Sequence, residues 1–235
     1  MNKEETSQWL KALGYTLIIF VLFSVYLYLR RGYYNLYIIN KVFGSTAVIV
    51  AAATLIIGPL HRKFASLARF MGIRRELGLI ALGLAIAHVG ASLMLQDHFK
   101  IPDFYIRIKY PLIFGITAVL VWLYMAFISR SSQIAKLGAG VWKKRLSLGG
   151  KLAFLAIFLH LTVMKYQGWF TWLRGQTKQT PELANPSYPP ASLFVFFAML
   201  SIIIFRIAND FVCRKGNEPQ KNDSRIIDLN PPPRI

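Results

Sequence analysis

Two apolar stretches decide the fold, GLIALGLAIAHVG at residues 78–90 and GGKLAFLAIFLHLTV at residues 149–163. Each stretch is a run of apolar residues with helical character that contains one histidine, His88 in the first and His160 in the second. An ionisable or ligating side chain inside a membrane helix is costly, so it marks a functional site by default. Two such histidines at similar depths indicate that something is held between two helices.

The rest of the chain has the composition of an integral membrane protein. Of its 235 residues, 55% are hydrophobic, although the net charge is +18. Several runs approach the ~20 apolar residues that cross a hydrocarbon core about 30 Å thick. We therefore expect an all-α, integral membrane six-helix bundle with spans near 10–29, 42–60, 76–95, 110–128, 148–164 and 191–207. This domain, 10–207, is expected to lie between a short N-terminal segment, 1–9, and a disordered polar tail, 208–235.

The positive charges are concentrated in two loops. These loops follow the second and fourth spans, and they contain Arg62, Lys63, Arg69, Arg74, Arg75, Arg130, Lys136, Lys143, Lys144 and Arg145. Because positive charge is retained in the cytoplasm, we expect both loops and both termini on the cytoplasmic side. Arg30 and Arg31, at the other end of the first span, run against this rule. The charge flanks membrane spans, so it favours anionic lipid as a partner rather than nucleic acid.

The two histidine helices also share small residues. Each histidine follows a basic cluster by about a dozen residues, which places both ~18 Å from the inner boundary. Seven positions before the histidine lies an alanine (Ala81 or Ala153), and ten positions before it a glycine (Gly78 or Gly150). Small residues there leave room for a flat macrocycle, or they let helices approach closely. Parallel helices with imidazoles at one depth are typical of a bis-histidine b-type heme in a bundle.

Other candidate residues have simpler explanations. His61 ends the second span and is expected in the headgroup region, and His98 is expected in solvent. A single cysteine, Cys213, excludes an internal disulfide. Four cations are available to heme propionates, and each is equally well explained by snorkelling to the interface: Arg107, Lys109, Lys165 and Arg174.

Three segments resemble the ferric reductase-like transmembrane family. The run RRELGLIALGLAIAH, residues 74–88, resembles the family's RRxLGLxxFxxAxLH segment. FGSTAVIVAAATLIIGPLHR before it is similar to the glycine-started second helix of that family. KLGAGVWKKRLSLGGKLAFLAIFLHLTVMK is similar to the stretch that carries the second heme ligand. The resemblance covers about residues 43–168 and is nearest to the heme-binding membrane subunits of periplasmic methionine sulfoxide reductase systems.

The resemblance implies a b-type cytochrome subunit of a bacterial inner (plasma) membrane rather than a self-contained enzyme. His88 and His160 are implied as axial ligands of one heme b, and Arg74 and Arg75 as a basic pair at the inner mouth of the third span. Electrons are expected to come from quinol or a flavin donor, with quinone or FMN as a further cofactor. The implied acceptor is an extracytoplasmic redox partner such as a molybdopterin sulfoxide reductase.

Two positions depart from the pattern of the full ferric reductases. Those proteins carry a second pair of histidines nearer the inner side, where this chain has Arg74 and Ser147. The resemblance therefore implies one heme rather than two in series.

Two other functions are compatible with this sequence. In a transporter the histidines would relay protons, but the spans contain almost no other ionisable residue. In a heme-free structural or assembly subunit the fold alone would be kept, and Ser147 in place of a family histidine favours this alternative. Heme content distinguishes both from the cytochrome.

Overall fold

The computed structural model describes residues 3–95 and 102–215, apart from the side chains of residues 62, 102–108, 131 and 211–215. Within these ranges the chain forms seven α-helices and one 3-10 segment. They are α1 (Lys3–Arg31), α2 (Leu36–Lys63), the 3-10 segment (Ala65–Ile73), α3 (Arg74–Met94), α4 (Pro102–Ile128), α5 (Ser131–Leu137), α6 (Ala139–Leu173) and α7 (Ala191–Lys215).

Six helical segments of the described chain are long and apolar enough to cross a membrane. They are Lys3–Arg31, Leu36–His61, Ala65–Met94, Lys109–Ile128, Ala139–Leu173 and Ala191–Asp210. The predicted number and order of spans, and the all-α membrane fold, are therefore confirmed. Large apolar side chains such as Leu17, Leu120 and Ile204 are exposed on the helices. Such a surface is unfavourable in water and suits a hydrocarbon surround.

The fifth span differs most from its predicted length. It is predicted at 148–164, the shortest of the six, whereas α6 runs for 35 residues from Ala139 to Leu173. The basic residues 143–145, predicted in a loop, lie in the first turns of this helix. At 1.5 Å per residue α6 is about 52 Å long, which exceeds the thickness of a hydrocarbon core.

Both ends of the described chain are helical. α1 begins at Lys3, so residues 3–9, predicted as a separate terminal segment, belong to the first helix. α7 continues to Lys215 and therefore includes residues 208–215, which the sequence predicts as tail. The remainder of the predicted tail, 216–235, lies outside the described residues.

α2 is the central helix of the bundle. It contacts α1, α3, α6 and α7, and Val42, Thr46 and Val50 on it are buried. Two helix pairs pack together most extensively, α2 with α3 and α4 with α6. Each of these pairs contains one of the two histidines that the sequence singles out.

The two ends of the bundle can be named by the residues near them. We call one the histidine end because His88 and His160 lie in the half nearest to it. It contains the ends of α1, α3 and α6 and the beginnings of α2, α4 and α7. An apolar cluster of Leu27, Ile38, Val42 and Ala191 closes it. We call the opposite end, where α3 begins at Arg74, the arginine end.

The connection between α6 and α7 is tied down at the histidine end by the last two residues of α1. Arg30 is buried and donates Nε–H to the carbonyl oxygen of Tyr188 over 2.9 Å. Arg31 donates Nη1–H to the carbonyl oxygen of Glu182, also over 2.9 Å. The connection returns two bonds, from the backbone N–H groups of residues 184 and 185 to the last carbonyls of α1. These contacts explain why two arginines occupy an end of α1 where the charge rule does not expect them.

Replacing Arg30 with methionine should loosen this connection. A hydrogen bond from a charged donor contributes about 1.5–3 kcal/mol, which corresponds to a rise of roughly tenfold or more in local opening. Trypsin should therefore cleave at exposed Lys178 correspondingly faster in detergent-solubilised Arg30→Met than in the wild type. The exposed Lys11→Met change on the same helix serves as the matched control, and equal cleavage rates in both variants would contradict the anchoring role.

Candidate functional site

His88 is held against α2 by a backbone carbonyl. Its Nδ1 lies 3.0 Å from the carbonyl oxygen of Asn40. The Asn40 side chain donates Nδ2–H to Ser92 Oγ over 3.0 Å, and Ser92 donates Oγ–H to the carbonyl oxygen of His88 over 2.7 Å. Asn40 and Ser92 therefore form a small polar network that fixes the position of α3 and of its imidazole against α2.

His160 is held against α4 in the same manner. Its Nδ1 lies 2.7 Å from the carbonyl oxygen of Pro111. Pro111 lies within α4, where a proline cannot donate a backbone hydrogen bond of its own. Its carbonyl oxygen has two lone pairs, so it can accept from an imidazole as well as from the helix backbone.

The partner atom determines the tautomer of each histidine. A carbonyl oxygen can only accept, so each Nδ1 must carry a hydrogen and donate it. In a neutral imidazole, Nε2 is then unprotonated and presents its lone pair. Histidines that ligate metals typically donate their other ring N–H to a carbonyl or carboxylate, which orients the ring and raises its basicity. His88 and His160 both have this arrangement.

A glycine lies beneath each imidazole. A Cβ at Gly44 would lie 3.2 Å from Nδ1 and Cε1 of His88. A Cβ at Gly115 would lie 3.0 Å from Nδ1 of His160. Any larger side chain at these positions would push the ring away from the carbonyl that holds it. Each histidine therefore rests directly on the backbone of the neighbouring helix.

We call the carbonyl and the glycine that hold each imidazole its histidine seat, and the two seats have the same arrangement. In each, the ring donates to a carbonyl and lies over the glycine four residues further along the same helix, Asn40 with Gly44 and Pro111 with Gly115. Corresponding residues of the two seats are 71 or 72 positions apart in the sequence. The pair α2 with α3 and the pair α4 with α6 are thus arranged as a parallel repeat.

The two seats bring their imidazoles near each other. His88 and His160 lie within electrostatic range although they belong to different helix pairs, and both are partly buried. Together they can supply two ligands to a metal. Within the described ranges no group of three or more His, Cys, Asp or Glu side chains could hold a metal ion. Two imidazoles alone suit a metal that brings its own equatorial ligands, as heme iron does.

A small cavity lies on the arginine side of the imidazoles. It is lined by Ala51, Thr54, Leu55, Trp122, Met125, Gly150, Ala153, Phe154 and Ile157. The small residues that the sequence predicts on α6, Gly150 and Ala153, therefore border open space. Their counterpart Ala81 on α3 is instead fully buried in an apolar cluster that includes Val50 and Trp122. The cavity therefore borders α6 at Gly150 and Ala153 but not α3 at Ala81.

The Arg74 side chain is also held by a carbonyl and a glycine, in a third seat nearer the arginine end. It donates Nε–H to the carbonyl oxygen of Thr54 over 3.1 Å. A Cβ at Gly58 would lie 3.2 Å from its Nη1. Thr54 and Gly58 follow Asn40 and Gly44 by 14 residues, and Arg74 precedes His88 by 14, which is about 21 Å along a helix. Relative to its carbonyl and glycine, the Arg74 guanidinium thus has the position that the imidazole has in the His88 arrangement.

The fourth position of this pattern contains no imidazole. On α4, 14 residues after Pro111, the carbonyl oxygen of Met125 accepts a hydrogen bond from Ser129 Oγ over 2.7 Å. The Met125 side chain packs against Gly149: a Cβ built at Gly149 would lie 2.9 Å from the Cγ of Met125. Met125 and Trp122 also line the small cavity between the two layers.

The remaining predicted residues lie apart from the histidines. Arg75 does not pair with Arg74: its side chain is 57% exposed and lies 3.9 Å from Glu76. His61 has a local contact between its Nδ1 and the carbonyl oxygen of Gly58, at 2.6 Å. His98 lies outside the described residues, and so does the side chain of Cys213.

No protein-family model matches this chain, and no curated protein matches it. The resemblance to the ferric reductase-like family therefore stays a prediction, and the function has to be argued from the residues of the chain itself.

The sequence reasoning missed the residues that hold the histidines. Asn40, Gly44, Pro111 and Gly115 act through backbone carbonyls and through the lack of a side chain, so residue chemistry alone does not reveal them. Two signals could have found them. Each glycine lies in an otherwise apolar span, and the two glycines are separated by almost the same number of residues as the two histidines.

Replacing Gly115 with valine should displace His160 from Pro111. Overpacking of this kind typically costs about 1–3 kcal/mol, so we expect a lower free energy of unfolding in detergent, measured by circular dichroism. Gly83→Val on α3 is the matched control, because nothing lies within 4 Å of a Cβ built there. Equal losses of stability in the two variants would show that the glycine seat has no special role.

Proposed function

We propose that this protein is a membrane b-type cytochrome that binds one heme through His88 and His160 and transfers electrons across part of the membrane. The observation that carries the proposal is the matched orientation of the two imidazoles. Each donates Nδ1–H to a backbone carbonyl, at 3.0 Å for His88 and 2.7 Å for His160, and each presents an unprotonated Nε2. Such a pair is what six-coordinate heme iron requires from the protein.

The chain's own residues would perform three tasks for the heme. The two imidazoles would supply the axial ligands, and the carbonyls of Asn40 and Pro111 would orient them and increase their donor strength. The apolar helices around them would exclude water. When bound, the heme supplies a one-electron couple whose potential depends on its ligands and surroundings.

A single heme is favoured by the layer nearer the arginine end. There the Thr54 carbonyl accepts from the guanidinium of Arg74, and the Met125 carbonyl accepts from Ser129, four residues further along the chain. An arginine stays protonated in proteins, so it cannot ligate iron in place of an imidazole. In the described residues these two layers therefore offer one pair of imidazole ligands, and electrons have to reach the histidine layer from a donor bound elsewhere.

The direction of transfer and the partners follow from the family resemblance. In this proposal the protein lies in a bacterial inner membrane with both termini in the cytoplasm. Quinol or a reduced flavin donates electrons from the arginine side, and quinone or FMN is the further cofactor that the resemblance implies. The acceptor is an extracytoplasmic redox protein, of which a molybdopterin sulfoxide reductase is the example that the resemblance offers. Anionic lipid would surround the basic helix ends.

One structural observation bears on the proton-relay alternative, namely the ionisable residues in the membrane helices. The helices that form the candidate spans also contain ionisable residues nearer their ends, among them Lys41, Arg74, Glu76 and Lys165. Both histidines nevertheless donate to backbone carbonyls rather than to titratable side chains. A relay needs neighbours that exchange protons, so these bonds favour ligation.

The absorption spectrum of the purified protein tests the proposal. A dithionite-reduced minus oxidised spectrum should show one low-spin b-type heme, and pyridine hemochrome quantitation should give about one heme per chain. His88→Ala and His160→Ala should each abolish the low-spin spectrum, because either change removes an axial ligand.

A third histidine provides the matched control. His61→Ala should keep the wild-type spectrum, since the ring of His61 is engaged locally with Gly58. Full heme content in both His88→Ala and His160→Ala would refute the ligand assignment. No heme in the wild type, after expression with ample heme supply, would favour the heme-free subunit or the proton relay.

Replacing Arg74 tests the single-heme part of the proposal separately. Arg74→Leu removes the guanidinium from the layer near the arginine end but touches neither histidine seat. We expect one low-spin heme per chain in this variant, as in the wild type, together with lower stability because the Thr54 carbonyl loses its donor. A loss of the heme on this change would mean that Arg74 takes part in binding it.

A further inference from the structure

Four cationic side chains gather at the histidine end. Lys41 lies within electrostatic range of the other three, Arg30, Arg31 and Lys165. Lys165 also lies within range of Arg31. Glu182 is the one acidic residue that shares this range with Lys41 in the described part of the chain. Four cations with one carboxylate in range leave an excess of partly buried positive charge, which is unfavourable and which a bound anion would offset.

The two arginines of the cluster already have a structural role. Arg30 and Arg31 donate to the carbonyls of Tyr188 and Glu182. Arg31 has one further donor, its Nε–H, which is buried and has no hydrogen-bond partner. Its guanidinium lies 5.8 Å from the centre of the Tyr37 ring.

Lys41 lies over the same Tyr37 ring, with its Nζ 3.9 Å from the ring centre. It follows Asn40, whose carbonyl holds His88, and it precedes Gly44 by three residues, so it shares a face of α2 with that glycine. The Lys41 ammonium is therefore about one helical turn from the His88 seat, on the side of the histidine end.

Lys165 approaches the histidines from α6. It follows His160 by five residues, about 7.5 Å towards the histidine end. It lies within electrostatic range of both His88 and His160. No carboxylate of the described residues lies within salt-bridge distance of Lys165 or of Lys41. The two lysines are thus partly buried cations beside the imidazole pair and without an anionic partner.

We propose that Lys41 and Lys165 bind the two propionate carboxylates of the heme, with the free Nε–H of Arg31 as a further donor. The inference rests on the proposed function and assigns an orientation to the cofactor, with its acidic edge towards the histidine end. It also corrects the set of cations considered from the sequence. Lys109 and Arg174 are exposed, and the side chain of Arg107 lies outside the described residues. Among the members of that set whose side chains the structure describes, Lys165 is the one within electrostatic range of both histidines.

The test compares heme with a heme that lacks acidic groups. Apoprotein in detergent is titrated with iron protoporphyrin IX and with its dimethyl ester, in the wild type and in Lys41→Met/Lys165→Met. We expect the wild type to bind the free acid roughly tenfold or more tightly than the ester, because charge-assisted contacts to carboxylates are strong. The double variant should bind both porphyrins with similar affinity.

A control and a second readout accompany the titration. Lys109→Met, which removes an exposed cation at the same end, should keep the wild-type preference. The midpoint potential of the low-spin heme should fall in the double variant, since loss of two cations stabilises the ferric form.

Each other outcome has a definite meaning. An acid-over-ester preference that is unchanged in the double variant would overturn the inference while leaving bis-histidine binding intact. An unchanged preference together with loss of co-purifying anionic phospholipid would assign the lysines to a lipid headgroup and also overturn it. A wild type that binds neither porphyrin would overturn the proposed function and this inference together.

Discussion

The arrangement depends on a backbone carbonyl and a glycine that together fix an imidazole on a neighbouring helix. The carbonyl oxygen takes the Nδ1 proton, which leaves Nε2 as the free nitrogen, and the glycine lets the ring come close enough for that bond to form. In a hydrocarbon environment no water competes for the carbonyl. The orientation of each histidine is therefore set by the register of two helices rather than by another side chain.

The same constraint explains why two helix pairs dominate the packing. α2 with α3 and α4 with α6 must each stay in register to keep a ring on its glycine. The pattern continues towards the arginine end, where Arg74 takes the Thr54 carbonyl over Gly58 and Ser129 takes the Met125 carbonyl. The carbonyl-and-glycine arrangement between helices thus occurs three times, twice with an imidazole and once with a guanidinium, whereas the Met125 carbonyl accepts from a residue of its own segment. In our proposal the protein therefore binds one heme rather than two.

Much of the fold could be predicted because the hydrophobic effect and the thickness of the membrane constrain it strongly. The six spans and the depth-matched histidines follow from apolar runs and from two polar residues inside them. The length of α6 could not be predicted in this way. Basic residues 143–145 look like a loop by hydropathy, but they continue the helix beyond the membrane core. The charge rule does not predict the place of Arg30 and Arg31, because their partners are carbonyls 150 or more residues away in the chain.

Of the candidate site, only the two histidines could be predicted from the sequence. His88 and His160 stand out because few polar residues lie within the spans, whereas Asn40 and Pro111 contribute a backbone atom that every residue has. Lys41 escaped notice because it lies near the start of its span, where a lysine is ordinarily explained by snorkelling. Its place beside Arg31 and Lys165 becomes apparent only when α1, α2 and α6 are assembled.

The most direct measurement is pulsed electron paramagnetic resonance on the ferric protein, prepared with natural and with 15N-labelled histidine. The account predicts one low-spin ferric species in which two axial nitrogens, both from histidine, change their hyperfine coupling on labelling. A species with one labelled axial nitrogen or none, or a preparation without a heme signal, would contradict the central claim that the two seated imidazoles hold one iron between them.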